Sequence, residues 1–194
     1  EFKQFLLRGN VVDLAVAAGR IAAISPAATG FRTAGQAGRP GGPASDEAAV
    51  DLAGRIVLPC FVDCHTHLDK GHIWPRKPNP DGSFISALNA AGEDRAPRWT
   101  AEDVSRRVDF ALCCAYAHGT KAIRTHIDSV PQQETISWPV FSEMRERWRG
   151  RIELQGACLF GIEQARARAW LAQMARTLVE HRGVLGAVTY MLPD

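Results

Sequence analysis

Residues 61–70 read FVDCHTHLDK, and the interpretation of the whole chain begins from this stretch. It continues a nearly unbroken apolar run over residues 56–62, which is typical of a strand buried on both faces of a parallel sheet. Side chains two residues apart on a strand point to the same face, so His65 and His67 would direct two imidazoles at one point. Such a pair is half of a binding site for a divalent metal ion such as zinc.

Two aspartates flank the histidine pair. Asp63 and Asp69 would share its face if the strand continued, and Asp63 could then orient a histidine through a hydrogen bond. A His-x-His pair alone is weak evidence, because surface or core histidines also produce it. Its place at the end of an apolar strand favours a catalytic metal, since β/α barrels keep their chemistry there. A structural zinc site that includes Cys60 and Cys64 is disfavoured, because strand parity turns both away from the histidines.

Downstream of the motif, predicted helices alternate with predicted strands. Thr100 is a good helix N-cap, with Asp103 three residues later as in a capping box, and Gly119 ends that helix. The elements that follow are a strand at 122–127, an amphipathic helix marked by Trp138, Phe141, Met144 and Trp148, a strand at 152–159, a long helix at 162–181 and a fourth strand at 184–191. This order predicts an α/β fold whose parallel strands are joined by right-handed crossovers.

Upstream of the motif, the chain predicts a small β portion. Short apolar runs at 5–7, 11–16 and 20–24 are separated by glycines and indicate strands. Residues 26–49 are rich in Gly, Ala, Pro and Ser and show no periodic apolar face, which predicts a loop. We therefore divide the chain into a β portion at 1–55 and an α/β portion at 56–194.

The bulk composition narrows the class of protein. The formal net charge of +2 is spread along the 194 residues, so we expect no nucleic-acid partner. No apolar run is long enough to cross a bilayer, so we expect no membrane partner. The five cysteines are odd in number and two of them are adjacent, which is a poor disulfide framework. A reducing, cytoplasmic location is therefore expected.

Several stretches together resemble one family. Residues 54–69, GRIVLPCFVDCHTHLD, resemble the first barrel strand of the amidohydrolase superfamily, and the His-x-His-Leu-Asp order is similar to that of its cytosine deaminase family. Residues 119–128, GTKAIRTHID, resemble that family's second strand with its Arg-Thr-His-x-Asp pattern. Residues 152–155 resemble the start of the third strand, and residues 19–24 resemble part of the small β-sandwich.

The resemblance implies a fold and a metal. The fold would be a distorted (β/α)8 TIM barrel, of which this chain supplies the first four strands, with N-terminal strands of a small β-sandwich. One divalent ion, Zn or Fe, would be bound by His65 and His67. The family's other ligands, a histidine and an aspartate, and its proton-shuttling glutamate belong to later strands, so the catalytic residues are expected outside this chain. His126 either supports the ligands from the second strand or is a satisfied core histidine.

The resemblance also implies a reaction. A metal-bound hydroxide attacks a ring carbon that bears an amino group, and ammonia leaves after protonation. We therefore expect a metal-dependent hydrolase, a deaminase, that acts on a C–N bond of a small cyclic amidine or amide such as an aminopyrimidine. Where the family has Phe-Pro-Gln at the end of the third strand, this chain has Leu159, Phe160 and Gly161. Cytosine is therefore a doubtful substrate, unless Gln164 or a residue elsewhere replaces the glutamine.

Alternatives of another class remain open. The chain could be an inactive truncated scaffold, or one piece of a split enzyme that a complementary chain completes, and it could form a homo-oligomer. Residues 1–194 alone are expected to be inactive and prone to aggregate, because half a barrel leaves an open strand edge and an uncovered apolar face. His72 and His118 are expected at a loop and a helix end, and residues 74–77 in a loop that covers the substrate.

Overall fold

The structure is a computed structural model that describes residues 12–17, 20–26, 58–79 and 81–189. The chain divides into two compact units, Glu1–Leu58 and Pro59–Asp194. In the first unit, β1 (Val12–Ala17) pairs with β2 (Arg20–Pro26) in an antiparallel ladder. This pair confirms the strands predicted at 11–16 and 20–24. The strand predicted at 5–7 and the loop predicted over 27–49 lie outside the described residues.

The second unit is built on a parallel sheet with helices between its strands. The strand order is β3-β4-β5, and both pairings are parallel. The strands are β3 (Phe61–Thr66), β4 (Thr120–Asp128) and β5 (Glu153–Leu159). The helices are α1 (Phe84–Arg98), α2 (Ala101–Ala117), α3 (Glu134–Arg147) and α4 (Arg168–Glu180). This arrangement confirms the α/β class and is compatible with part of a β/α barrel.

The predicted start of α2 has a local cause that the structure shows. The Thr100 hydroxyl accepts a hydrogen bond from the Asp103 backbone N–H at 3.2 Å, which satisfies one of the free donors of the first turn. The capping box is only half formed, because the Asp103 carboxylate pairs with Arg76 and Arg107 instead. The helix ends before Gly119, whose φ of +84° is a conformation that glycine adopts without strain.

The core lies between the sheet and the helices. The predicted apolar face of α3 is confirmed, since Trp138, Phe141, Met144 and Trp148 are at most 4% exposed. They join apolar side chains of α2, β4 and β5, among them Leu112, Ile127 and Leu154, in one buried cluster. Within the described residues, no helix combines the length and the apolar character that a membrane span requires.

The strand that carries the histidine motif differs from its prediction. It begins at Phe61 rather than at residue 56, and its side chains are exposed rather than buried on both faces, with Phe61 57% and Val62 70% exposed. Among the described strands, β3 has a neighbour, β4, on one side only. An apolar run indicates that a strand tends to be buried, but it does not show which element of the fold covers the strand.

Two further predictions need correction. The long helix expected at 162–181 is a 3-10 helix (Ile162–Arg166) followed by α4, separated at Ala167 by a non-helical ψ of 82°. The fourth strand expected at 184–191 is reduced to two isolated parallel bridges, from Val184 to Ala157 of β5 and from Val188 to Gly161, which follows β5. Between those bridges, the backbone N–H of Gly186 bonds to the Sγ of Cys158 at 3.2 Å, which interrupts the regular ladder. Residues 190–191 lie outside the described part.

Helix α1 was not predicted at all. Its N-cap is Ser83, whose hydroxyl accepts a hydrogen bond from the Ser86 backbone N–H at 3.2 Å. Its buried residues are Ala90 and Asp94, so an aspartate takes a place that a periodic pattern would give to an apolar residue. The helix is therefore held by ion pairs with other segments rather than by an apolar face.

Candidate metal site

Three imidazoles meet at the carboxyl ends of β3 and β4. His65 lies on β3, His67 follows one residue after its end, and His126 lies on β4. The ring centroids of His65 and His67 are 5.3 Å apart, and those of His65 and His126 are 4.1 Å apart and stacked. The His67 and His126 centroids are 5.9 Å apart. The parallel sheet thus brings together histidines that are about sixty positions apart in sequence.

The His67 ring is fixed by the neighbouring strand. Its Nδ1–H donates a hydrogen bond to the backbone carbonyl of His126 at 3.1 Å, which leaves Nε2 free to bind another group. Metal-binding histidines commonly use one ring nitrogen in this way, because the bond sets the tautomer and the ring orientation. Burial, followed by the charge of Lys70, lowers the pKa of His67 and favours the neutral imidazole that a metal ion requires.

The histidine pair fits a metal ion, although the described residues supply only part of a ligand set. Two imidazoles on one tetrahedral zinc ion have ring centroids roughly 5 Å apart, which the observed 5.3 Å matches. Within residues 58–79 and 81–189, no group of three or more His, Cys, Asp or Glu side chains is placed to hold a metal ion. Cys60 and Cys64 are both exposed thiols.

The two predicted aspartates have different surroundings. Asp63 is exposed, and its carboxylate accepts a hydrogen bond from the backbone N–H of His65 at 3.1 Å, so its bond in this structure is to the backbone and not to an imidazole. Asp69 was expected to share the histidine face only if the strand continued, and this condition is not met, because β3 ends at Thr66 and the chain then turns. The side chain of Asp69 is consequently buried, with only 3% of the residue exposed.

Asp69 lies in a compact group of charges at this edge of the sheet. One carboxylate oxygen accepts a hydrogen bond from the Asp128 backbone N–H at 2.8 Å, while the other has no hydrogen-bond partner in the structure. Burial, reinforced by the negative charge of Asp128, raises the pKa of Asp69 to about 7. Asp128 itself accepts from Lys70 at 2.7 Å and from Arg95 of α1 at 2.9 Å. These pairs tie the turn after the histidine motif to β4 and α1.

Arg107 is a positioning side chain that the sequence did not reveal. It is 7% exposed and donates from Nη1 to the backbone carbonyls of Asp69 and Gly71, the latter at 3.1 Å. The same guanidinium pairs with Asp103 at 2.8 Å and lies over the Trp99 ring. The i, i+4 spacing of Asp103 and Arg107 on α2 is compatible with an ion pair between them. The same spacing is also found in fully exposed pairs, so it does not indicate that Arg107 is buried. Only tertiary contact shows that Arg107 holds the turn.

His72, His118 and Arg76 of the loop at 74–77 contact residues outside this cluster of rings. His72 has a φ of +61° and packs its ring against Phe110, and His118 caps α2 with its Nδ1 2.7 Å from the Cys114 carbonyl. Arg76 pairs with buried Asp94 at 2.8 Å. This part of the loop is therefore fastened to α1.

The end of β5 presents a glycine where the resembling family has a glutamine. Gly161 precedes the 3-10 helix, and a carboxylate oxygen of Glu163 lies 2.9 Å from the place that a Cβ at Gly161 would take. Gln164 lies within that helix, as expected, and its backbone N–H bonds to the Gly161 carbonyl at 2.9 Å. The space beside Gly161 is thus occupied by a carboxylate.

Comparison with known sequences gives relatives of a consistent kind. No family model matches the chain. It is 46% identical over 182 residues to the pterin deaminase of Rhizobium rhizogenes, covering 94% of this chain and 39% of that protein. It is 28% identical over 115 residues to the N-isopropylammelide isopropyl amidohydrolase of a Pseudomonas species, covering 55% of this chain and 27% of that protein. The chain thus spans well under half of these curated relatives.

Comparison with solved structures supports the fold. The 5-methylcytosine deaminase of Klebsiella pneumoniae, liganded with 5-fluorocytosine, matches with a TM-score of 0.64 and 18% identity, over 92% of this chain and 48% of that one. The N-isopropylammelide isopropylaminohydrolase of Burkholderia multivorans matches with a TM-score of 0.58 and 22% identity, over 91% and 48%. The fold of this chain is therefore similar to about half of the fold of these enzymes. By sequence the chain is thus similar to a pterin deaminase and an amidohydrolase, and by fold it is similar to part of a cytosine deaminase-type structure.

Proposed function

We propose that the full-length protein carrying this sequence is a metal-dependent deaminase, which hydrolyses a C–N bond of a small cyclic amidine or amide. One observation carries the proposal. His67 donates from Nδ1 to the His126 carbonyl at 3.1 Å, which leaves its other ring nitrogen available close to the ring of His65. This pairing of a fixed tautomer with a second imidazole is the arrangement by which histidines bind a catalytic metal ion.

In this proposal, His65 and His67 bind one divalent ion, Zn or Fe. Such an ion lowers the pKa of a bound water to near neutral. The turn at 68–71 supports the ligands, because Arg107 holds its carbonyls and Asp128 holds Lys70. Asp63 keeps the backbone of His65 in place, and Asp69 anchors the turn to β4. The other ligands and the acid–base groups are proposed to lie outside the part of the chain that the structure describes.

For the substrate, we propose a pterin or a related amino-substituted ring rather than cytosine. The support is the 46% identity to a pterin deaminase and the absence of a glutamine side chain at Gly161. The Glu163 carboxylate beside Gly161 accepts hydrogen bonds but cannot donate them, whereas an amide side chain does both. Loss of one such contact costs about 1–3 kcal/mol, which corresponds to about one to two decades in rate.

The metal assignment is tested by replacing both candidate ligands. The full-length His65→Ala/His67→Ala protein is expected to contain no stoichiometric zinc or iron by elemental mass spectrometry and to release no ammonia from pterin. His118→Ala, which removes an exposed imidazole at a helix end, is the matched control and should leave the metal content unchanged. Full metal occupancy in the double variant would rule the assignment out.

The substrate assignment is tested separately with the wild-type protein. Ammonia release is compared among pterin, cytosine, other aminopyrimidines, aminotriazines and cyclic amides, and pterin or a related ring is expected to have the highest kcat/KM. Cytosine as the best substrate would show that the departure at Gly161 is irrelevant to selectivity. A wild-type protein that is purified without bound metal and releases no ammonia from any of these compounds would instead favour the non-catalytic scaffold.

A further inference from the structure

We propose that His126 is a positioning residue for both candidate metal ligands, holding His65 with its ring and His67 with its backbone carbonyl. This inference rests on the proposed function, because a positioning role needs a metal for the two histidines to bind. The two contacts are independent of each other, since one belongs to the side chain and the other to the main chain. They can therefore be separated by substitution.

The ring contact limits the orientation of His65. The two imidazoles are stacked with their centroids 4.1 Å apart and their planes 25° apart. His65 is exposed on β3, and its hydrogen bond to the Asp63 carboxylate is donated by its backbone N–H and not by its ring. An exposed side chain without a side-chain partner samples several rotamers, which costs conformational entropy when a ligand fixes it. The stacked ring of His126 reduces that cost by favouring one orientation in advance.

The backbone contact comes from the place of His126 in the sheet. His126 pairs with Ala157 on β5, so β4 is held on its other side by a regular ladder. The register between β3 and β4 is irregular between Asp63 and Thr66, and directly after that point the side chain of His67 bonds to the β4 backbone. The carbonyl acceptor is therefore rigid, and it persists whatever side chain stands at position 126.

A third observation guides the choice of variant. The Nδ1 atom of His126 is buried and has no hydrogen-bond partner in the structure. Replacing the imidazole with a phenyl ring therefore keeps an aromatic surface against His65 and breaks no bond at Nδ1, but it removes the ring's hydrogen bond to the Thr66 backbone. His126→Phe tests the ring without the nitrogen, and His126→Ala removes the ring while the carbonyl remains.

The first measurement needs no metal. In the metal-free full-length protein with labelled histidines, the ring protons of His65, assigned by their loss in His65→Gln, are expected to be shifted upfield by the stacked ring. His126→Ala should abolish this shift, while His126→Phe should retain it. The His67 ring nitrogens should keep the Nδ1–H tautomer in both variants, because the acceptor is the backbone. An unshifted His65 in the wild-type protein would overturn the stacking argument.

The second measurement is zinc affinity, obtained by competition with a chelator. His126→Ala is expected to weaken zinc binding by about 10–100-fold, the usual effect of losing a residue that orients a metal ligand. His126→Phe should stay within about threefold of the wild-type protein, as should the control His118→Ala. Equal affinity in His126→Ala and wild type, or equal losses in the alanine and phenylalanine variants, would refute the inference while the proposed function stood. A wild-type protein that binds no zinc would instead refute the proposed function.

Discussion

Replacing Asp94 with asparagine is expected to loosen α1 and the turn before it by about 2–3 kcal/mol, because this carboxylate is the centre of a buried network. Asp94 is fully buried and accepts hydrogen bonds from the Nε and Nη2 of Arg76, at 3.0 and 2.8 Å, and from the Trp99 indole at 2.8 Å. Arg98 adds a fourth donor at 3.2 Å. Asparagine has nearly the same shape, so packing changes little and the effect reports the charge.

The magnitude follows from the donors left behind. An asparagine has one acceptor oxygen and directs its NH2 group at either Arg76 or Trp99, so at least one donor faces another donor. Breaking a fully buried ion pair costs about 3–5 kcal/mol, and leaving a buried donor unpaired costs about 1–3 kcal/mol. Arg76 is 31% exposed and keeps its pair with Asp103, so water and a second carboxylate compensate part of the loss. Because of this compensation, we expect a loss of about 2–3 kcal/mol rather than the roughly 3–5 kcal/mol of a fully buried pair.

The effect should depend on pH in one direction. Burial raises the pKa of Asp94, but the hydrogen bonds from Arg76 and Trp99 outweigh burial and leave the pKa below its usual value. A carboxyl group whose pKa is lowered on folding stabilises the fold above its unfolded pKa of about 3.9, and that contribution is lost as the pH falls through the lower folded value. The difference between wild type and Asp94→Asn should therefore be constant near pH 6–8 and shrink below about pH 4.

Hydrogen exchange of the full-length protein, resolved to peptides from α1, measures the local opening free energy directly. The matched control is Glu102→Gln on α2, whose pair with Arg106 is largely exposed and should contribute about 0–0.5 kcal/mol. A loss in Asp94→Asn no larger than in the control would refute the account of α1 as a helix held by buried ion pairs. A stability difference between wild type and Asp94→Asn that grows as the pH falls below about 4 would also refute this account.

Two further substitutions probe single contacts. Thr100→Ala should raise the hydrogen-exchange rate of the first turn of α2 by an amount equivalent to about 1 kcal/mol, and Thr100→Ser should restore the wild-type rate. An unchanged exchange rate in the alanine variant would show that the hydroxyl cap is dispensable. Gly183→Ala should destabilise the second unit by about 1–3 kcal/mol, since its Cβ would stand 2.4 Å from the Trp138 ring, and a melting temperature at or above that of wild type would contradict the packing there. Gly92→Ala, with 3.9 Å of clearance in α1, is its control and should be neutral or stabilising.

The elements that the sequence predicted well are those with a local cause. The start of α2 depends on Thr100, and the apolar face of α3 depends on spacing between neighbouring turns, so both are visible within one short segment. The break at Ala167 was not visible, because one residue with a non-helical ψ leaves the apolar periodicity on either side intact. Helix α1 was missed for the opposite reason, since its stabilising partners Arg76 and Asp128 belong to other segments.

The candidate site divides in the same way. The sequence by itself determined that two histidines stand at the end of a strand and that their spacing and setting resemble those of a deaminase, because alternation along a strand and a family motif are both local properties. Only the tertiary structure decided which groups surround them. His126 reaches the pair because β4 lies beside β3, Asp69 turns inward because β3 ends at Thr66, and Arg107 holds the turn from α2. These contacts join residues 36 to 61 positions apart, and no periodicity within a segment encodes a partner at that distance.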